Sequence, residues 1–187
     1  MAGKTAGSKK DDDDPLKVFE KMSNLREMVF VHVQYDNSFR KIFPHVPNVT
    51  SLSIRQSDIE VLPENIEMMR SLVNLQLTNT LVVSLPSTVG NLRNLVVLDV
   101  SFNPRLVSLP DSIGELKRLS KLNVEKCPAL VTLPVTLVGC TALTLINCNK
   151  NDTKIVPDCV VAMPSLTDII HKYKNVLSKL REMQSLT

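Results

Sequence analysis

Residues 85–103 read LPSTVGNLRNLVVLDVSFN, and residues 109–127 read LPDSIGELKRLSKLNVEKC. Both stretches begin with Leu-Pro and carry aliphatic residues at the same later positions. Self-similarity at a fixed period of about 20–50 residues is typical of proteins that stack small repeated units. The length of this period is therefore the first clue to the fold.

The same pattern recurs along most of the chain. A proline preceded by leucine or valine returns at intervals of 23, 24, 24 and 23 residues, at Pro63, Pro86, Pro110, Pro134 and Pro157. Three, six, nine and twelve residues after each proline, every unit carries an apolar residue. The position twelve residues on holds Leu75, Leu98, Leu122, Ile146 and Ile169. We therefore expect these residues to occupy equivalent places in successive units.

The spacing of the apolar residues changes within a unit. Ile113, Leu116 and Leu119 are three residues apart, which suits a helical or 3₁₀ turn. Leu122 and Val124 have the period of two that is typical of a strand. Each unit is thus one turn of a coil, and its short strand is expected to pair in parallel with the next.

These stretches resemble the leucine-rich-repeat consensus LPxxIGxLxxLxxLxLxxN/C over about residues 48–170. The variant resembles the intracellular Ras-group-related repeat proteins and the repeats of plant immune receptors. The resemblance implies an α/β solenoid shaped as a horseshoe, with a parallel β-sheet on its concave side and short helices or 3₁₀ turns on its convex side. Seven strands are expected, with capping helices at both ends.

The resemblance also implies a structural ladder where the chain leaves each strand. In this family an asparagine or cysteine at that place satisfies buried backbone groups, which otherwise lack partners. Because serine and threonine are weaker substitutes, we expect a less regular ladder in the N-terminal units. The matching positions hold Ser57, Thr80, Asn103, Cys127 and Asn151.

The N-terminal part divides into a tail and a cap. Residues 1–13 are small and polar, and we expect them to be disordered. A single domain is expected over residues 14–187, with residues 14–47 as an irregular capping repeat. Its helix is predicted to start at Asp14–Pro15, with Leu16, Phe19, Met22 and Leu25 on one apolar face. An irregular strand through Met28, Phe30 and Val33 follows, then Phe39, Phe43, Val46 and Val49.

The regular repeats, residues 48–170, end where His171 replaces an apolar residue. Residues 171–187 are predicted to form a C-terminal capping helix, because Tyr173, Val176, Leu177 and Leu180 have helical spacing. Its outer face is basic and is either solvated or a site for acidic lipid or a partner. That face carries Lys172, Lys174, Lys179 and Arg181.

Composition excludes several classes of function. With 22 basic and 19 acidic residues, the net charge of +3 is too small to predict nucleic-acid binding. No apolar run is long enough for a membrane span or suitable for a secretory signal, so we expect a cytoplasmic protein. The four cysteines form no CxxC pair and are expected to be free, buried thiols. They are Cys127, Cys140, Cys148 and Cys159.

Enzyme motifs are absent from the sequence. It contains no GxxxxGK[ST], GxGxxG, GxSxG or HExxH. His32, His45 and His171 all lie outside the regular units, and a pair of Cys148 with His171 has its thiol at a core position. We therefore predict no catalytic residue, no cofactor and no metal site.

Binding has more support, because alternate strand residues point away from the core. Ser51, Ser53, Val97, Leu145 and Asn149 belong to this face with the residues predicted to bind protein. Phe102 either anchors a partner or packs along its neighbouring loops. The predicted binding residues are Arg55, Asn74, Gln76, Thr78, Asp99, Ser101, Phe102, Lys121, Asn123, Glu125 and Asn147.

Three functions stay open at this point. The first is a scaffold or adaptor that binds an unidentified protein partner through its concave face. The second is a structural subunit held in a larger assembly through its termini or convex side. The third is a weak nucleic-acid or membrane-surface binder that uses the basic C-terminal helix.

Overall fold

The computed structural model describes residues 16–34, 38–151, 155–172 and 174–185. The tail expected to be disordered, the predicted helix start at Asp14–Pro15, and Tyr173 lie outside these residues. Four α-helices are present in the described part of the chain. They are α1 (Lys17–Glu20), α2 (Ser38–Ile42), α3 (Asp158–Val161) and α4 (Leu177–Gln184).

One sheet runs along the whole solenoid, with its strands in chain order. Its first seven strands pair in parallel, as predicted. Leu75 lies opposite Leu98, and Leu98 lies opposite Leu122, which confirms that the repeat period places equivalent residues side by side. The strands are β1 (Glu27–Val31), β2 (Ser51–Ser57), β3 (Asn74–Thr80), β4 (Val97–Asp99), β5 (Lys121–Asn123), β6 (Leu145–Asn147) and β7 (Asp168–His171).

Short helices form the opposite side of each coil. Every regular coil turns at its proline, whose fixed φ holds the backbone extended directly before a 3₁₀ helix. These 3₁₀ helices are Glu64–Met68, Ser87–Asn91, Asp111–Glu115 and Val135–Gly139. A further 3₁₀ helix, Phe43–His45, follows α2, and α3 takes the corresponding place after Pro157.

The core is a single spine of aliphatic side chains between the sheet and the short helices. The apolar residues three, six, nine and twelve positions after each proline are all buried. Leu77, Val100, Val124 and Cys148, two residues further along the chain, are also buried, whereas His171 is partly exposed. Burial of apolar area contributes about 25 cal/mol per Å² to folding, so this spine is the main stabilising element.

Aromatic side chains cover the first coil at the N-terminal end. The rings of Phe30 and Phe39 meet edge to face at 5.0 Å, and Phe39 stacks with Phe43 at 5.8 Å. The predicted N-terminal helix is only one turn long in the described residues, and Met22 is 43% exposed. Met22 therefore does not join the apolar face, because α1 has already ended before it.

The C-terminal cap differs from the predicted helix over residues 171–187. Lys174–Asn175 form an eighth strand, β8, which pairs antiparallel with β7, and the helix begins only at Leu177. The side chain of Asn175 explains this reversal. Its Oδ1 accepts hydrogen bonds from the backbone N–H groups of Ile169 and Leu177, at 3.2 and 3.1 Å. It thus joins the last strand to the start of α4.

Arg181 on α4 also departs from the expectation of a solvated basic face. Its guanidinium donates hydrogen bonds to the backbone carbonyls of Val161 at 3.1 Å, Met163 at 2.8 Å and Leu166 at 3.2 Å. These carbonyls belong to the last coil and have no further coil to bond with. Arg181 is therefore part of the cap and not a free surface cation.

Within the described ranges, the protein has no helix with the length and apolar character needed to cross a bilayer.

Candidate protein-binding face

Two rows of side chains cross the sheet on the side away from the core, and together they form the concave face. Side chains of one row stand next to one another on neighbouring strands, because the pairing is parallel and in register. The first row is Ser51, Asn74, Val97, Lys121, Leu145 and Asp168. The second is Ser53, Gln76, Asp99, Asn123, Asn147 and Ile170.

A hydrogen-bonded cluster holds Arg55 in place at the N-terminal end of this face. Its Nε donates to Ser53 Oγ at 2.6 Å, and its Nη2 donates to Gln76 Oε1 at 3.0 Å. The hydroxyl of Ser53 donates to the same Gln76 oxygen at 3.2 Å. Ser53 is buried by these contacts, while Arg55 stays exposed, so a cation is presented in a fixed orientation.

Asp99, Asn123 and Asn147 have a structural task that the sequence analysis missed. The side-chain oxygen of each accepts a hydrogen bond from the backbone N–H two residues later, at 2.9, 3.1 and 3.1 Å. Such local bonds give an N–H group a partner where strand pairing ends. Asp or Asn recurs four residues before the last three ladder residues, Asn103, Cys127 and Asn151, and this recurrence was a usable signal. Substituting these residues is therefore expected to affect stability.

Other predicted binding residues are less available than their strand positions suggested. Ser101 is only 3% exposed, so it presents almost no surface to a partner. The carboxylate of Glu125 accepts hydrogen bonds from Asn147 Nδ2 at 3.3 Å and from Asn149 Nδ2 at 2.8 Å. Asn149 is itself buried beneath this contact. Alternation along a strand identifies the direction of a side chain but not how far its neighbours cover it.

Asn74, Thr78 and Lys121 form the accessible middle of the concave face. Asn74 and Thr78 are partly exposed and Lys121 is exposed. Among the described residues, the Lys121 side chain makes no hydrogen bond or ion pair. Substitutions at these three positions are expected to have less effect on folding than substitutions at the hydrogen-bonded positions of the face.

A further row of residues, which the sequence analysis did not identify, lies at or shortly beyond the ends of the seven parallel strands. Among the residues that the structure describes, seven non-glycine residues have a positive φ of 48–66°. Five of them directly precede the ladder residues, and His32 and Lys172 follow the first and the seventh strand. We call them the left-handed row. They are His32, Gln56, Asn79, Phe102, Lys126, Lys150 and Lys172. A left-handed backbone is usually filled by glycine or asparagine, so the residue types gave little warning of this geometry.

Phe102 lies in the middle of the left-handed row, where it packs against a neighbouring turn and keeps part of its ring exposed. The Nζ of Lys126 sits 4.5 Å from the centre of its ring, so the ring packs against a neighbouring turn. It is nevertheless 40% exposed and borders a shallow cleft of about 410 Å³. That cleft is lined by Arg55, Gln56, Thr78, Asn79, Ser101 and Phe102.

The ladder residues bond to backbone groups of the neighbouring coil. Asn103 Oδ1 accepts from the N–H and the hydroxyl of Thr80, both at 2.8 Å, and its Nδ2 donates to the Leu77 carbonyl at 2.7 Å. In the same way, Asn151 Oδ1 accepts a hydrogen bond from the N–H of Cys127 at 2.8 Å. Ser57 makes one bond between coils, from the N–H of Val33 at 3.0 Å.

The buried thiols are poorly suited to nucleophilic chemistry. Burial raises the pKa values of Cys127, Cys140 and Cys148 to about 11, the opposite of the shift that a thiolate nucleophile needs. His171 does not pair with Cys148. Its Nε2 lies 2.7 Å from the Asn151 carbonyl, while the Cys148 thiol faces the Ile170 carbonyl at 3.4 Å. Cys159 differs from the expectation of four buried thiols, because it is exposed on α3.

Metal-binding side chains do not cluster in the described part of the chain. No group of three or more His, Cys, Asp or Glu residues there has a geometry that could hold a metal ion.

An apolar edge lies between the ladder turns and the prolines. Val61, Val83, Val107 and Val131 are 41–79% exposed. The N–H of Val107 donates to the Val83 carbonyl, so these two valines adjoin, whereas Val61 lies opposite Ser84 of the next coil. We call these four residues the valine edge. Exposed apolar rows of this kind are typical of contact surfaces.

No protein-family model and no curated protein sequence matches this chain. Solved structures do match it. An LRR protein of Leptospira interrogans superimposes with a TM-score of 0.71 at 24% identity, over 80% of this chain and 38% of the other. An internalin of Listeria monocytogenes gives a TM-score of 0.55 at 15% identity, over 87% of this chain and 51% of the other.

The receptor kinase HAESA of Arabidopsis, solved with the peptide hormone IDA and a co-receptor, is a third match. Its TM-score is 0.60 at 18% identity, over 81% of this chain and 30% of the receptor chain. The chain thus spans only about a third to a half of the length of these three structures. At such identities the likeness establishes the fold and nothing finer.

Proposed function

Because the chain is a leucine-rich-repeat solenoid, we propose that it is a non-enzymatic scaffold or adaptor that binds a partner protein through its concave face. The supporting observation is the set of polar groups held rigidly on that face. Arg55 is fixed by Ser53 and Gln76, and the Glu125 carboxylate is fixed by Asn147 and Asn149. Groups that are already ordered lose little entropy on binding, so they favour recognition.

The size of the face also suits a peptide segment. Seven parallel strands about 4.8 Å apart make a wall of roughly 30 Å, enough for about nine residues of extended chain. HAESA, which shares the fold, was solved with a peptide hormone. We propose a cytoplasmic location, because three buried cysteines are free thiols, as is usual in a reducing compartment.

Binding through the concave face is tested by a double variant, Thr78→Lys with Lys121→Glu. Thr78→Lys adds bulk and Lys121→Glu reverses a charge, and both positions are accessible and lie outside the ladder. We expect partner capture from native lysate, measured by affinity purification and mass spectrometry, to fall at least about tenfold, because a close like-charge contact opposes binding. The thermal midpoint should stay within a few degrees of the unmodified protein.

A matched control carries the same residue changes elsewhere, Thr141→Lys with Lys41→Glu. Both positions are exposed and lie outside the concave face. The control should capture the same proteins as the unmodified chain. Equal loss in both double variants, or undiminished capture by the concave variant, would reject the concave face as the binding surface.

A second candidate function, a structural subunit of a larger assembly, is favoured by the valine edge. We expect a triple variant, Val83→Thr, Val107→Thr and Val131→Thr, to shift the protein from high to monomeric mass in size-exclusion chromatography of native lysate, because lost apolar contact weakens a permanent interface. The control replaces Val29, Val31 and Val138, which are about equally exposed, with threonine. A monomeric elution position for the unmodified protein would exclude this function.

Binding of nucleic acid or membrane through the C-terminal helix has less support than either candidate. One of the four basic residues assigned to its outer face, Arg181, is bonded to the carbonyls of the last coil. Removing residues 172–187 is not a clean test of this function, because it also uncovers the core beneath Leu177.

A further inference from the structure

The two ends of the sheet are closed in different ways. At the C-terminal end the last strand, β8, is only two residues long and contains a lysine. At the N-terminal end the edge strand is β1, which has five residues and pairs with β2 alone in the described part of the chain. Proteins commonly protect a sheet edge with a very short strand, a proline or a lysine. β1, with the sequence EMVFV, has none of these devices.

Alternate residues of β1 direct their backbone groups to opposite sides. The Arg26 carbonyl accepts from the N–H of Ser51 in β2 at 2.9 Å. Six residues later, the N–H of His32 donates to the Arg55 carbonyl of β2 at 3.2 Å. Because the direction of these groups alternates along a strand, every second residue from Arg26 to His32 faces β2. The residues between them face the open edge, and these are Glu27, Val29 and Val31.

The backbone groups on this open edge have no partner among the described residues. No hydrogen bond reaches the N–H or C=O groups of Glu27, Val29 and Val31. In the preceding cap, the N–H of Met22 donates to the Phe19 carbonyl at 3.0 Å and not to the edge. Three N–H and three C=O groups of the described chain are thus left along one line. Such a row of donors and acceptors is matched by another extended backbone.

Side chains along the same edge indicate the composition of a matching strand. Val29 and Val31 are 50% and 47% exposed, although β-branched apolar residues are usually covered in a sheet. Glu27 is exposed, and its carboxylate forms no ion pair with a described residue. Residues opposite one another on neighbouring strands stabilise a sheet when both are β-branched or when their charges are opposite.

We propose that β1 binds an extended segment of a partner protein, which adds to the sheet as an antiparallel edge strand. Antiparallel pairing joins opposite residues through two hydrogen bonds, so Glu27, Val29 and Val31 form six. The segment carries β-branched apolar residues opposite the two valines and a basic residue opposite Glu27. This site goes beyond the proposed function, because it uses backbone groups at the end of the sheet and not the side chains of Thr78 and Lys121.

A single segment fits this edge better than a second copy of the chain does. Leu16 and Phe19 of the N-terminal cap pack against the core at this end of the solenoid. Two copies joined through their β1 strands would bring both caps to the same place. A single extended segment has no cap of its own, so it adds to the edge without displacing these residues.

The first test uses the unmodified full chain and a labelled peptide, Ser-Val-Thr-Val-Thr-Lys-Ser. We expect fluorescence anisotropy to detect binding, and hydrogen exchange of the Val29 and Val31 amides to slow at least about tenfold in the complex. The amides of Met28 and Phe30 already face β2 and should change little. The same peptide with an N-methyl group on its central valine should bind at least about fivefold more weakly, because it lacks one backbone donor.

The second test changes the edge itself. Val29→Pro removes the central N–H of the edge and is compatible with an edge strand, so we expect peptide binding to weaken at least about tenfold. The matched control Val29→Thr keeps the N–H and the β-branched shape, and its affinity should stay within about twofold. Glu27→Lys should weaken the same peptide, and a peptide with glutamate in place of its lysine should restore binding to this variant.

Several outcomes overturn the inference. Equal binding of the N-methylated peptide, or unchanged exchange at Val29 and Val31, excludes backbone pairing. If these amides become protected as the concentration of the protein alone rises, the occupant is a second copy. Peptide binding that requires removal of residues 1–13 assigns the edge to the chain's own N-terminal segment. Thr78→Lys with Lys121→Glu should leave peptide binding unchanged, so failure of the concave face and failure of the edge are separate results.

Discussion

Replacing Asn103 with alanine is expected to destabilise the protein by about 3–5 kcal/mol, measured as the free energy of unfolding in urea. Asn103 is completely buried, and its side chain takes part in four hydrogen bonds. Alanine leaves the Thr80 N–H and the carbonyls of Leu77 and Val100 without these partners. Each buried group that loses its hydrogen bond costs about 1–3 kcal/mol.

The control for this variant is Asn91→Ala on the convex side. Asn91 is exposed, and its Nδ2 donates a hydrogen bond to Glu67 Oε2 at 2.6 Å on the surface of the protein. We expect it to cost less than about 1 kcal/mol, because water replaces that bond. If Asn103→Ala lowered the free energy of unfolding no more than Asn91→Ala does, the ladder would not be holding the coils together.

The ladder also allows a comparison between its two ends. Ser57 makes one bond between coils and one to its own strand, the latter to the Arg55 carbonyl at 2.7 Å. Asn103 joins two coils through three bonds and adds one within its own turn. The N-terminal ladder is thus built from fewer contacts, in line with the weaker capacity of a serine side chain.

Replacing Gly114 with alanine is expected to destabilise the protein by about 2–3 kcal/mol, despite the higher helix propensity of alanine. A Cβ at this position would overlap the backbone carbonyl oxygen of Thr136 in the next coil. Because backbone atoms cannot move aside as a side chain can, the 3₁₀ helices Asp111–Glu115 and Val135–Gly139 would have to separate. A Cβ at Gly90 would likewise overlap the backbone carbonyl oxygen of Ser112.

Val138→Ala is the matched control for this prediction. Val138 occupies the same place relative to its proline as Gly114 does, and its side chain is exposed. We expect it to change the free energy of unfolding by less than about 1 kcal/mol, because little apolar surface is lost. A neutral or stabilising Gly114→Ala would show that the convex helices are not in close contact in solution.

How far the binding face was predictable depends on the kind of contact involved. The alternation of each strand correctly placed Arg55, Gln76 and Lys121 on the side away from the core. It did not reveal that Asp99 bonds to the backbone of its own turn, or that Ser101 is covered. Both the Asp99 bond and the burial of Ser101 depend on the residue at which the strand stops pairing with its neighbours. The alternation of polar and apolar residues does not specify that residue.

The caps illustrate the same limit at the ends of the solenoid. Helical spacing around Leu177 and Leu180 predicted a helix there, and α4 contains both residues. The spacing gave no sign of β8, because a two-residue strand has no period of its own. The sequence pattern predicted Arg181 to be a surface cation. In the structure it donates hydrogen bonds to three backbone carbonyls of the last coil.

The amino-acid sequence by itself determined the period, the parallel register and the aliphatic spine, because each depends on residues that repeat at a constant interval and pack against their own equivalents. Tertiary structure alone decided the left-handed row and the availability of each polar side chain. The backbone after a strand takes its conformation from the bonds to neighbouring coils: the N–H groups of Phe102 and Lys126 donate to the carbonyls of Glu125 and Asn149 in the next coil. Those bonds exist only once the coils are stacked.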